Sequence, residues 1–159
     1  MNIFYLDKNP KTAAQYHCDK HVVKMILECA QMLSTVHREF GNIDDRLYRK
    51  THSNHPSTKW VKSSSEHYKW LYRLFVCLCD EYKYRYKKTH KTDEKLRKIL
   101  RKVPKKLINN GFSQPPQAMP VEYHSDDSVS SYRLYYNKDK AHFCKWTNRP
   151  IPFWFDGVS

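Results

Sequence analysis

Glycine is scarce in this chain: only Gly41, Gly111 and Gly157 occur in 159 residues. Glycine-rich phosphate loops and tight hairpins need backbone at positive φ, which other residues resist, so both are nearly excluded, and a doubly wound nucleotide fold with them. Long apolar runs are also missing. No stretch approaches 18 apolar residues, and the start, Met1-Asn-Ile-Phe-Tyr-Leu-Asp-Lys8, lacks the charged head and apolar run of an export signal. The five cysteines, Cys18, Cys29, Cys77, Cys79 and Cys144, form neither a metal-ribbon spacing nor an even disulfide framework. Cys77 and Cys79 lie in an apolar stretch that suits buried free thiols. A soluble, cytoplasmic protein in a reducing compartment is expected, with no membrane partner.

Acidic residues are few as well, 16 against 29 Lys and Arg, which leaves a formal charge of +13. Such an excess repels itself unless a polyanion offsets it, and nucleic acid is the natural partner. A purely electrostatic binder has no need of 12 Tyr, 7 Phe and 4 Trp. Aromatics interleaved with basic residues suggest contact with bases or sugars as well as phosphates, although any single ring can equally be core. The length fits one domain over residues 1–159, with one hydrophobic core.

The patterning is helical. After a short extended start at residues 2–6, Asn9-Pro10 opens a helix predicted to run to about Phe40, stopped by Gly41-Asn42. Val22, Met25, Ile26, Cys29, Leu33 and Val36 follow a three-four spacing along it, which marks one buried face. A second long helix is predicted from about Ser57 to Lys88, with Trp60, His67, Trp70, Leu71, Leu74, Phe75, Leu78 and Tyr82 at helical spacing. A short basic helix should cover Thr92–Arg101, closed by Val103-Pro104. The proline-rich segment 113–120 should run extended. Asp126 or Asp127 can cap a last helix reaching about His142, followed by an aromatic, proline-locked tail over 145–155. The fold class is therefore all-α: a compact single domain of three to four helices.

Two clusters carry possible chemistry. His17, His21, Lys24 and Glu28 are separated by four, three and four residues and would stand in one row on a helix. That row suits an acid/base carboxylate with anion-holding neighbours; it also suits a metal site built on His17 and His21, or a solvated face. The second cluster, from His52 to Trp60, places Asn54, His55 and Lys59 around a helix start, where free N–H groups favour phosphate.

The chain start, the run Asp19-Lys-His-Val-Val-Lys-Met-Ile-Leu-Glu28-Cys-Ala-Gln and the Asn54-His55-Pro56 triplet together resemble the small pyrimidine-dimer DNA glycosylases of phages and bacteria. The resemblance covers residues 1 to about 90. It departs from the family at Asn2 and Leu27, where arginines often stand. It implies a DNA repair enzyme, a glycosylase with AP-lyase activity on pyrimidine dimers, whose catalytic residues are the amine of Met1 and the carboxylate of Glu28. In that mechanism the chain's α-amino group attacks the sugar C1′ and forms a Schiff base. An α-amine, with a reference pKa of about 8 against about 10.4 for lysine, holds roughly a hundredfold more free base near neutrality. Asn2 is too large for usual removal of the initiator, so Met1 itself is expected as nucleophile. His17, Lys20, His21, Lys24, Asn54, His55 and Lys59 would bind DNA, together with Arg133, Lys145, Trp146 and Arg149 from the tail. Tyr132, Tyr135, Tyr136 and Trp154 are further aromatic wedge candidates, and Lys138 and Lys140 further backbone contacts. The expected partner is double-stranded DNA carrying a lesion, bound by a monomer with no cofactor or metal. The alternatives are a nonenzymatic DNA-binding protein, or a metal-dependent nuclease using His17 and His21.

Overall fold

The computed structural model describes residues 1–158. Six α-helices carry the chain: α1 Pro10–Tyr16, α2 Asp19–Glu39, α3 Pro56–Lys62, α4 Ser65–Tyr86, α5 Lys91–Leu100 and α6 Ser128–Tyr135. Helix α6 continues through a π turn, Tyr136–Lys140, into a 3-10 turn, Ala141–Phe143. No strand occurs among the described residues, so the all-α class holds. The count is six rather than three to four, because each long helix expected from periodicity is broken once.

The first break lies at His17-Cys18, whose backbone is extended. The free groups around it are taken up by distant parts of the chain. Asp19 N donates to Lys145 O at 2.7 Å and Cys18 N to the Tyr136 hydroxyl at 3.3 Å. The indole of Trp146 donates to Tyr16 O, and Arg85 to Gln15 O. The second break is held both locally and from residues 108–111, where Ser64 Oγ donates to Gly111 O, Asn110 donates to Ser63 O and Ser65 N donates to Ile108 O. Ser64 is extended and caps α4 by accepting from Glu66 N, while the Ser63 hydroxyl bonds back to Trp60 O at 2.7 Å and closes α3.

Helix α2 packs against α4, and α1 and α3 flank them. Val22, Met25, Ile26, Cys29, Leu33 and Val36 are all buried, as their spacing predicts, and meet Leu71, Leu74, Phe75 and Leu78 of α4 within one core. Each such side chain contributes about 1.5–3 kcal/mol by leaving water. Among the two cysteines of that stretch, Cys79 is buried and Cys77 half-buried, and all five thiols are free.

The N-terminal segment is threaded into this core: Ile3, Phe4, Tyr5 and Leu6 are all at most 5 % exposed. Arg133 of α6 donates to Leu6 O, and Trp70 of α4 to Lys8 O. The tail is fastened at the start of α2 and on α4. Thr147 donates twice to Asp19, and Arg149 pairs with Glu81, which also receives the buried Arg85. No helix of the described residues is long and apolar enough to cross a membrane.

Candidate active site

Because the N-terminal segment is fixed by its buried side chains, its first atom has a defined place. The α-amino nitrogen of Met1 lies 3.4 Å from Glu28 Oε1, in the first half of α2. Lys24, one turn earlier, brings Nζ to 3.8 Å from Glu28 Oε2. Glu28 is 9 % exposed, whereas the Lys24 side chain is largely in solvent. A carboxylate in that position is shielded from bulk water over most of its surface, yet open on one side.

That side is a cleft of about 180 Å³. Met1, Asn2 and Phe4 form one wall, His21, Lys24, Met25 and Glu28 another, and Tyr135 with Lys140 close the rim. His21 stacks on Phe4 at 4.2 Å between ring centroids and shares a 2.7 Å hydrogen bond with the Tyr136 hydroxyl. Phe4 in turn lies nearly parallel to Tyr135 at 6.1 Å. The Lys140 ammonium sits over the Tyr135 ring at 4.9 Å. The site thus pairs an amine with a carboxylate beneath aromatic walls and a cationic rim, which suits nucleophilic attack and proton transfer on an anionic polymer. Larger hollows exist, about 320 Å³ beside His37 and Lys102 and about 380 Å³ beside Lys11 and Glu81. The first has no carboxylate, and in the second Glu81 is already taken by Arg85 and Arg149, and Asp80 by Arg97.

Of the sequence-predicted residues, the structure brings Met1, His21, Lys24 and Glu28 together. His55 stands close by: it caps α3, its Nδ1 accepting from Ser57 N. Burial lowers its pKa, the positive charges of the α-amine and of His52 lower it further, and Glu28 opposes them. Lys20, Asn54, Lys59 and Lys145 are exposed, with Lys20 over the Phe143 ring at 4.6 Å.

The structure places several of the sequence-predicted residues in the interior or in ion pairs. His17 does not continue the α2 row. It caps the end of α1, is fully buried, and donates from Nδ1 to Ala13 O at 2.6 Å, so burial drives its pKa down to about 3. With His17 turned inward and His21 on Tyr136, the paired-imidazole site is not formed, and no group of three His, Cys, Asp or Glu able to hold an ion occurs among the described residues. Trp146 is buried with its indole N–H spent on Tyr16 O. Tyr132 and Tyr136, taken as wedges, are fully buried. Arg133 and Arg149 are half-buried and engaged: Arg133 with Leu6 O and Asp7 beneath the Tyr16, Phe153 and Trp154 rings, Arg149 with Glu81.

A family model described as pyrimidine dimer DNA glycosylase matches residues 1–94. The chain belongs to this family. The match takes in both elements of the central pair, Met1 and Glu28, and the Asn54-His55-Pro56 triplet, but stops short of α6. Membership brings a DNA substrate and glycosylase chemistry. No curated protein and no solved structure is similar enough to the chain to count as a match.

Sequence reasoning passed over Asn2 as a site residue. Its Oδ1 accepts from Ile3 N at 2.9 Å and from the Tyr132 hydroxyl at 2.7 Å, and its Nδ2 donates to Ala118 O at 2.9 Å. The partners are 116 and 130 residues away, so no local pattern could signal them.

Proposed function

We propose that this chain is a pyrimidine-dimer DNA glycosylase with AP-lyase activity that works through a Schiff base on the Met1 α-amine. The unprotonated amine attacks C1′ of the damaged nucleotide, the C1′–N bond breaks, and its electron pair leaves with the base, which is protonated. Opening of the sugar ring then gives the C1′ iminium. Glu28 faces the cation that develops at C1′ and accepts the proton the amine sheds. Loss of a C2′ proton expels the 3′ phosphate, and water releases the amine for another turnover. The reagents are groups of this chain and water. Lys24, with the exposed Lys20 one turn earlier on α2 and the exposed Lys59 on α3, would hold flanking phosphates of double-stranded DNA bound by a single copy.

The observation that carries this reading is the 3.4 Å approach of the amine to a mostly buried carboxylate inside a cleft. An amine held there needs no general search for its proton acceptor.

Borohydride trapping tests it. Reduction during turnover should leave one covalent DNA adduct, and peptide mapping should place it on Met1. A chain with residues retained ahead of Met1 has a peptide nitrogen at that point and should leave none, while still binding DNA. An adduct mapped to Lys24 or Lys140 would overturn the assignment of the nucleophile. Binding without any adduct, on dimers or abasic sites, would leave a DNA-binding protein without this chemistry.

A further inference from the structure

The α-amine is the one nucleophile that the rest of a chain does not hold from both sides. A terminal residue ordinarily frays, and a frayed amine would visit Glu28 only in passing. Here residue 2 is clamped. Its side-chain amide uses both ends, accepting from Ile3 N and the Tyr132 hydroxyl and donating to Ala118 O. The clamp is itself braced: the Tyr132 hydroxyl accepts from Ala118 N at 3.2 Å, and its one proton is shared between Asn2 Oδ1 and Pro116 O, 2.8 Å away. Tyr132 is fully buried on α6, so its hydroxyl has no water to turn to. The proline-rich segment is in turn tied to the start of α6, where Ser128 donates from N to Gln114 Oε1 and from Oγ to Pro115 O.

We propose that Asn2 and Tyr132 are positioning residues for the Met1 amine. The segment beyond the family match, through Pro116–Ala118 and α6, is then part of the catalytic apparatus rather than an appended DNA-binding tail. The inference rests on the amine mechanism proposed above. Its physical content is preorganisation: a displacement of about 1 Å at a reacting atom costs on the order of a hundredfold in rate without weakening the bound state.

The experiment compares single-turnover borohydride trapping at saturating abasic-site DNA with DNA affinity and thermal midpoint. Asn2→Leu removes every polar contact of the clamp, and the bulky residue keeps Met1 in place, as the intact mass verifies. Tyr132→Phe removes one oxygen and keeps the ring in its pocket. Tyr68→Phe is the control, an equally buried hydroxyl that donates to Leu100 O at 2.6 Å and has no part in the clamp. Trapping should fall on the order of a hundredfold in Asn2→Leu and about tenfold in Tyr132→Phe, with affinity within about twofold of native. The double variant should be slower than Asn2→Leu alone by less than the tenfold of Tyr132→Phe, since the two residues share one of the clamp's contacts. Tyr68→Phe should lower the midpoint and leave the trapping rate unchanged. If both clamp variants trap at the native rate, or if Tyr68→Phe slows trapping as much as Tyr132→Phe, the positioning role is overturned while the amine mechanism stands. If the native chain leaves no adduct, the mechanism falls and takes the positioning role with it.

Discussion

Glu28 and Lys24 share α2 and lie within 4 Å of one another, yet their substitutions should separate cleanly. Glu28→Gln keeps the shape of the side chain but cannot accept a proton, so strand cleavage should fall by at least about a hundredfold with DNA affinity nearly intact. A nicking assay beside a binding titration reads both; native nicking in the variant would remove Glu28 from the chemistry. Lys24→Ala and Lys59→Ala should instead weaken binding to all sequences alike and lower the salt slope by about one unit each. Arg133→Ala should behave unlike either, because that guanidinium is spent on Leu6 O, Asp7 and three rings: it should lose stability more than salt slope. His17 sets a pH dependence of its own. Its neutral form is the one that is folded, with burial holding the pKa at about 3, while the unfolded chain takes up a proton near 6.5. Its contribution is therefore complete above pH 6.5 and lost as the pH falls, by about 1.4 kcal/mol per unit at most. Burial lowers His37 and His67 in the same sense. Urea unfolding between pH 7.5 and 5 should show this slope, and His17→Gln should flatten it.

At the level of elements, the hydrophobic spacing of α2 and most of that of α4 was legible, since a buried helical face repeats every three to four residues, although Tyr82 is only half-buried and the buried Tyr68 stood outside the predicted face. The breaks were not equally legible. The one at Ser63-Ser64 carries a local sign, serines ahead of Glu66 that can cap a new helix, which the continuous apolar pattern outweighed. The one at His17-Cys18 carries none, because Lys145, Tyr136, Trp146 and Arg85 stabilise it from other parts of the chain. For the same reason the row of four residues was readable only from His21 to Glu28: a row presumes one helix, and His17 belongs to another. Arg85 is the centre of that junction. Fully buried, it bonds Glu81 of α4, Asp19 of α2 and the carbonyl of Gln15 in α1. Arg85→Met should cost about 3 kcal/mol or more, measured by urea unfolding, because Glu81 and the carbonyl are left partly unpaired in the interior. A cost below about 1 kcal/mol would mean that Arg149 and Thr147 suffice to hold those groups.

For the molecule as a whole, a charge of +13 makes capture of DNA steep in salt, and raising ionic strength should lower the association rate far more than the chemical step. The clamp on residue 2 has a different consequence, one of timing. Its two halves are 130 residues apart, so on the proposed mechanism the site would not be complete until most of the chain exists. A fragment of residues 1–94, although it spans the whole family match and both reacting groups, should leave no borohydride adduct at DNA concentrations that saturate the full chain. Ribosomes add about 5–20 residues per second, so the stretch from residue 95 to Tyr132 takes on the order of seconds to make. Throughout that interval a growing chain would have its Met1 amine without the Tyr132 hydroxyl that holds residue 2. On the proposed mechanism, activity would then arrive at the end of synthesis rather than with the first helix, and a prematurely terminated product should leave no adduct.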